Sequence, residues 1–406
     1  MRPATLVAAM CAGQLGSLLP HMAFSALIPR FAELWSLSAA ESGAISGAFF
    51  IGYACVVPLT TTLTDRVDAR RILIVGSLSS ALATFAFAAL ARDFWSAALL
   101  WALAGAGFAG AYMPGLRALT DRLPPGDASR SITLYTSSYS IGVGLSFLGA
   151  QLLERQFGWQ AAFVGVGCGP LVMMAVALSL PAWQPTPRAG ARLLDFRPVL
   201  RNRPAMAFVL GYGAHCFELA AMRAWIVSFW LFTAARSGAP GWIDAVGVSV
   251  AVTLIAMPAS ILGNEMAIRL GRRRLIAGVM IASSLIAIAL GFASAAPWPL
   301  VLALLLLHGF AVPADSGSLT SGMVGAAEPD CRGATMALHS TVGFGASFLG
   351  PLAMGLAIDG FGGPGSAAGW QAAYFVLALA AVAGLPALRL GIARSTSSAS
   401  APAQIR

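Results

Sequence analysis

The sequence says the same thing twice. Ser146-Phe147-Leu148-Gly149 returns as Ser347-Phe348-Leu349-Gly350, and Gly158-Trp159-Gln160-Ala161-Ala162-Phe163 returns as Gly369-Trp370-Gln371-Ala372-Ala373-Tyr374. Gly107-Phe108-Ala109 returns as Gly309-Phe310-Ala311, and the turn from Asp65 to Arg71 as the stretch from Glu265 to Arg274. A chain made of two copies of one unit is restricted to repeat architectures, in which each copy reaches a similar structure.

The repeated unit is apolar. The chain is 58% hydrophobic and 10% charged over 406 residues, far from a soluble composition. Its charges cluster between twelve apolar runs: 5–30, 40–63, 72–91, 94–118, 130–153, 159–181, 204–233, 241–267, 274–294, 298–321, 333–358 and 369–390. Each is near the roughly 20 residues that cross a bilayer as a helix. A membrane barrel would instead show alternating segments of about ten residues. The first run passes 20 residues without a small-residue cleavage site and reads as a retained helix, not a signal peptide. The expected fold is an all-α membrane protein with twelve transmembrane helices in two six-helix pseudo-repeats. Residues 1–181 form the N-terminal bundle and 204–393 the C-terminal bundle. Between them, 182–203 is a polar linker rich in Pro and Arg; 394–406 is a disordered tail.

All 25 basic residues are Arg. Without Lys there is no P-loop to bind nucleotide phosphates and no amine for Schiff-base chemistry. An internal ATP motor and pyridoxal catalysis are both excluded. With the N-terminus inside, 20 Arg fall in inner loops and tails, while Arg30, Arg92, Arg155 and Arg236 fall outside and Arg223 lies within a helix. That asymmetry places both termini in the cytoplasm. It also explains the net charge of +9 without nucleic acid. The five Cys are scattered and odd in number, so no disulfide or zinc framework follows. No cofactor or metal is expected.

The loop after the second run reads Thr61-Thr62-Leu63-Thr64-Asp65-Arg66-Val67-Asp68-Ala69-Arg70-Arg71. It resembles the signature Gly-x-Leu-Ala-Asp-Arg-x-Gly-Arg-Arg of the major facilitator superfamily, matching at Leu63, Asp65, Arg66, Arg70 and Arg71. A degenerate second copy, Gly263 to Arg273, occupies the equivalent loop of the repeat. With the six-plus-six repeat, the resemblance covers about residues 5–390 and implies secondary transport by alternating access. It also implies a conformational latch, here Asp65, Arg66, Arg70 and Arg71, with Glu265, Arg269 and Arg272 in the second copy. The latch is thought to hold the outward-facing state. Other family marks are missing. Trp101 stands where proton-coupled members often carry Arg before Gly105-Ala106-Gly107, and Ala150 stands where the antiporter signature has Pro. Helices 2 and 8 lack the Arg of nitrate carriers.

Ionisable residues inside membrane runs cost roughly 2.5–3.5 kcal/mol each on insertion scales, so they must face a cavity or a partner. They are His21 in run 1, His215, Glu218 and Arg223 in run 7, His308 and Asp315 in run 10, and His339 in run 11. In the family, helices 1, 4, 7 and 10 line the central cavity. Glu218 and Asp315 are therefore the candidate proton carriers. His21, His215, His308, Arg223 and Tyr139 are the candidate substrate contacts. Spacing makes Glu218 the helical neighbour of His215, whereas Arg223 points elsewhere.

The expected protein is a proton-coupled transporter of a small, anionic organic solute in a bacterial-type inner membrane, working as a monomer. Missing antiporter marks favour uptake over the alternative, drug or metabolite efflux by proton antiport. A non-transporting membrane sensor lacks an output domain here, and an intramembrane enzyme lacks a His-Glu-x-x-His motif.

Overall fold

A computed structural model describes residues 2–124, 128–185, 195–328 and 331–390, with side chains described from 131 onward in the second stretch. Twelve helical segments occupy the twelve apolar runs. The first, α1, spans 3–34 with interruptions. The others are α2 Ala39–Leu63, α3 Ala69–Leu90, α4 Phe94–Thr120, α5 Ala128–Phe157, α6 Trp159–Ser179, α7 Arg203–Ser237, α8 Ala245–Leu270, α9 Arg272–Ala295, α10 Trp298–Ala326, α11 Arg332–Gly360 and α12 Ala367–Arg389. Ten of them are long and apolar enough to cross a membrane; α1 and α5 are helical but not among those ten. The middle of the expected linker, 186–194, and the expected tail lie outside the described residues. The linker's far end is a short helix, Arg197–Arg201.

Polar residues placed just before apolar runs start the helices. Ser38 and Glu41 form a capping box on α2, Asp93 and Ser96 one on α4, and Asn202, Asp244 and Ser366 cap α7, α8 and α12. At the far end of α7, Gly238 adopts the left-handed conformation that terminates it. Each helix buries one face in protein and presents large apolar residues on the other, among them Leu59, Leu82, Leu103, Ile268, Leu285 and Leu379. Exposed side chains of this kind suit lipid, where backbone polar groups must be satisfied within each helix. The chain is a multi-pass membrane protein.

Lipid tails are as apolar as Leu, so packing of small residues must hold such helices together. Cβ atoms at Gly43 and Gly355 of α2 and α11 would overlap the backbone carbonyls of Pro351 and Ala39. These two helices cross backbone to backbone, and Tyr53 stacks on Phe344 further along. The N- and C-terminal halves also meet where α5 packs on α8 and α1 on α7.

The contacts between halves concentrate at the end of the molecule away from the arginine-rich loops. Asp359 of α11 accepts hydrogen bonds from the backbone N–H groups of Ala39 (3.0 Å) and Ala40 (2.8 Å), at the first turn of α2. Arg155 of α5 pairs with Asp244 of α8 at 2.8 Å. At the arginine-rich end, the last segments of α4 (Tyr112–Thr120) and α10 (Ser316–Ala326) make their principal contacts within their own halves. The halves are thus clamped at one end and separate at the other.

Among the described residues five helices are interrupted near mid-length: α6 and α8 at the single residues Cys168 and Ile255, and α1, α4 and α10 over several residues. The α1 break lies at 19–22, that of α4 at 109–111, and that of α10 at the 3₁₀ turn Val312–Asp315. The α4 and α10 breaks follow directly on the repeated Gly-Phe-Ala triplets.

Candidate functional site

The costly residues gather around α7. His215 and Glu218 lie one turn apart and face α10, but each finds its partner across the helix pair instead of on its own helix. Nε2 of His308 lies 3.1 Å from Glu218 Oε1, and Ser283 Oγ of α9 donates to Glu218 Oε2 at 3.2 Å. Nδ1 of His215 lies 2.7 Å from Asp315 Oδ1. That approach is short but misaligned, so neither atom forms a well-directed hydrogen bond. Helices 7 and 10 run antiparallel, which sets the earlier α7 residue against the later α10 residue. All four groups are buried: His215 is 4% exposed, Glu218 3%, His308 0% and Asp315 2%.

Each His–carboxylate pair carries one negative charge or none, depending on whether it holds a proton. Buried charge is expensive, so gaining a proton makes a pair easier to bury away from water. The two pairs differ in geometry. Glu218 sits within an unbroken helix in a satisfied network. Asp315 ends the 3₁₀ turn of α10, so bending there moves its carboxylate relative to His215.

Arg223 lies five residues beyond Glu218, about 140° around the helix. It faces the N-terminal half, close enough for its charge to act on both His21 and Tyr139. It is 5% exposed, makes no ion pair among the described residues, and its Nε has no hydrogen-bond partner. His21 sits in the α1 break, 2.8 Å from Tyr139 Oη through Nε2, with Phe49, Phe50 and Phe108 around its ring. Its Nδ1 is unpartnered. The α1 break is held by Ser146 of the repeated block, which donates to Leu19 O (2.6 Å) and accepts from Met22 N (2.9 Å). Its counterpart Ser347 donates to Cys216 O of α7 at 3.3 Å.

The loop signature is engaged within its own half. Asp65 pairs with Arg117 at 3.2 Å, and Arg117 also pairs with Asp121 at 2.8 Å. Arg70 donates to Leu180 O at 2.8 Å. Arg66 and Arg71 form no ion pair among the described residues. Sequence reasoning missed Asp68, whose side chain is more buried than that of Asp65. It caps α3, pairs with Arg122 at 2.9 Å and accepts from Trp183 N at 2.8 Å, tying three loops together. Partial burial pushes its carboxyl pKa up, but the bonds from Arg122, Trp183 and Arg70 outweigh this and hold it below the ordinary 3.8. In the second copy, Glu265 lies inside α8 and pairs with the exposed Arg269, one turn on, at 3.2 Å. Arg272 begins α9 with no capping side chain.

Comparison with known proteins gives a family and a fold. The family model described as Major Facilitator Superfamily matches residues 5–264, more than half of the chain. A gallate transporter of Pseudomonas putida is 29% identical over 150 residues, 36% of this chain and 33% of that protein. A niacin transporter, NiaP, of Acinetobacter baylyi is 26% identical over 147 residues, with the same shares of 36% and 33%. The chain thus spans about a third of the length of these curated relatives. A bacterial homologue of the human lysosomal transporter Spinster, solved in an inward-facing, unoccupied conformation, shares the fold at a TM-score of 0.74. It is 18% identical, over 96% of this chain and 95% of that one.

Proposed function

The chain belongs to the major facilitator superfamily, and from that premise we propose that it is a secondary active transporter of small organic anions, coupled to protons. Glu218 and Asp315 carry the protons, each with its histidine partner, His308 or His215. Arg223 binds the anion, with His21 and Tyr139 beside it. The observation that carries this reading is the division of labour on α7: one face bears two buried His–carboxylate pairs, the other a buried Arg with no ion pair among the described residues.

A buried Arg with no ion pair among the described residues, near Tyr139 and the phenyl-ringed His21, suits a solute with both a carboxylate and an aromatic ring. The gallate and niacin transporters are named for two such acids. Protonation and solute binding then act on one helix, and bending of α10 at Val312–Asp315 links them to opening and closing. The clamp at Asp359 and the separated ends of α4 and α10 support an inward-facing state, in which Asp65, Arg66, Arg70 and Arg71 have left the opposite half. The Arg distribution supports cytoplasmic termini in a bacterial-type inner membrane, and one chain suffices as a monomer. Uptake by symport is the direction proposed, with efflux by antiport as the alternative.

Uptake of radiolabelled benzoate, nicotinate and gallate into proteoliposomes tests the substrate class. Wild type is expected to take up at least one. Arg223→Gln is expected to raise its half-saturation concentration by roughly 10- to 100-fold, the worth of one charge-assisted hydrogen bond. Transport unaffected by Arg223→Gln removes the anion-binding role.

A further inference from the structure

We propose that the arginine-rich end of the C-terminal half holds a phosphate-bearing anion, the headgroup of an anionic phospholipid. A cavity of about 620 Å³ lies between the ends of α7, α8, α9 and α10, lined by Pro204, Phe208, Leu270, Gly325 and, above all, the consecutive Arg272, Arg273 and Arg274. None of the three Arg forms an ion pair among the described residues, and no lining residue is a carboxylate. The half-buried Arg272 has an unpartnered, water-shielded Nε.

The N-terminal half supplies the internal comparison. There the equivalent loop also gathers Arg, but Asp68 caps the helix and pairs with Arg122, while Asp65 and Asp121 pair with Arg117. In the second copy Gly271 occupies the cap, Glu265 is engaged by Arg269, and Glu328, two residues beyond the lining Ala326, is not itself part of the lining. Where the first half fills its loop with carboxylates, the second leaves concentrated positive charge, open helix N–H groups and space. A tetrahedral phosphate supplies the missing acceptors, with several oxygens for guanidinium groups and a helix N-terminus. The surface adjoining the cavity points to a lipid as the source. Leu270 leads onto the exposed apolar face of α8, with Ile261, Leu262 and Ile268, a surface for acyl chains.

The inference rests on the membrane reading but not on transport, so flux plays no part in its test. Gly325 lines the cavity, and a Cβ there meets nothing within 4 Å. Gly325→Glu therefore adds a carboxylate without disturbing packing or removing an Arg, and Gly325→Gln controls for size. The full chain in detergent is titrated with phosphatidylglycerol or phosphatidylcholine and read by native mass spectrometry. Wild type is expected to retain phosphatidylglycerol preferentially, and Gly325→Glu to weaken this about fivefold relative to Gly325→Gln, the effect of one charge at a membrane surface. Phenylglyoxal modification of Arg272–Arg274 distinguishes the sources. Protection by phosphatidylglycerol supports the lipid; protection by inorganic phosphate alone supports a phosphate site but rejects the lipid. Equal retention of both lipids, unchanged by Gly325→Glu and with no protection by either probe, overturns the site.

Discussion

Glu218 and Arg223 show how much one helix turn decides. Glu218 is bound by His308 and Ser283, whereas Arg223 faces the N-terminal half with no ion pair among the described residues. Losing one partner of a buried pair strands the other charge, so His308→Ala is expected to cost about 3–5 kcal/mol of stability and His308→Gln, which keeps a hydrogen bond, less. Thermal unfolding in detergent measures the difference. Asp68 gives a pH signature outside the membrane. Its pKa in the fold lies below the ordinary 3.8, so its stabilisation is present above that value and lost as pH falls through the folded one. Wild type is expected to unfold at a higher temperature than Asp68→Asn above about pH 5, and the two to converge in stronger acid. A constant difference at every pH would remove the carboxylate from the network. The ionisable residues themselves are plain in the sequence, because charge within an apolar run must be partnered. Their partners are not. Spacing suggests His215 beside Glu218, but the register between α7 and α10 decides, and it matches His215 with Asp315 and Glu218 with His308.

Elements carry the closure. A carboxylate at a helix N-terminus satisfies free N–H groups and complements the helix dipole. Asp359 does this for α2 from across the two halves, at the end where Gly43 and Gly355 permit backbone contact. Spin labels at the exposed Trp95, in the first turn of α4, and at Trp242, in the turn before α8, report the opening of that end. Asp359→Ala is expected to shift the distance distribution to longer values. An unchanged distribution would mean that glycine packing alone holds the clamp. Helix positions were legible from apolar runs and Ser, Asp and Asn caps. The helix breaks were legible only in part. Pro313 hints at the one in α10, but the α1 break at His21 depends on Ser146, 124 residues from the N–H of Met22 that it accepts. No local pattern announces such a bond.

Across the whole molecule, the duplicated sequence makes two similar halves with different chemistry. The ionisable pairs lie in the second half, while the first contributes His21, Tyr139 and the aromatic wall around them. Repeats and hydropathy made the membrane fold legible, because bilayer thickness and backbone satisfaction leave few alternatives. Sequence likeness sets Glu265 beside Asp65, but the two differ in place: Glu265 lies within α8, exposed and paired with Arg269, whereas Asp65 lies in the loop after α2. The proposed coupling is proton binding at the α7–α10 pairs driving transport. Its most direct test is solute accumulation in proteoliposomes with an imposed pH gradient, comparing wild type with Glu218→Gln. Wild type is expected to accumulate solute with the gradient, while Glu218→Gln still exchanges solute but no longer accumulates it. Equal accumulation by both would contradict it.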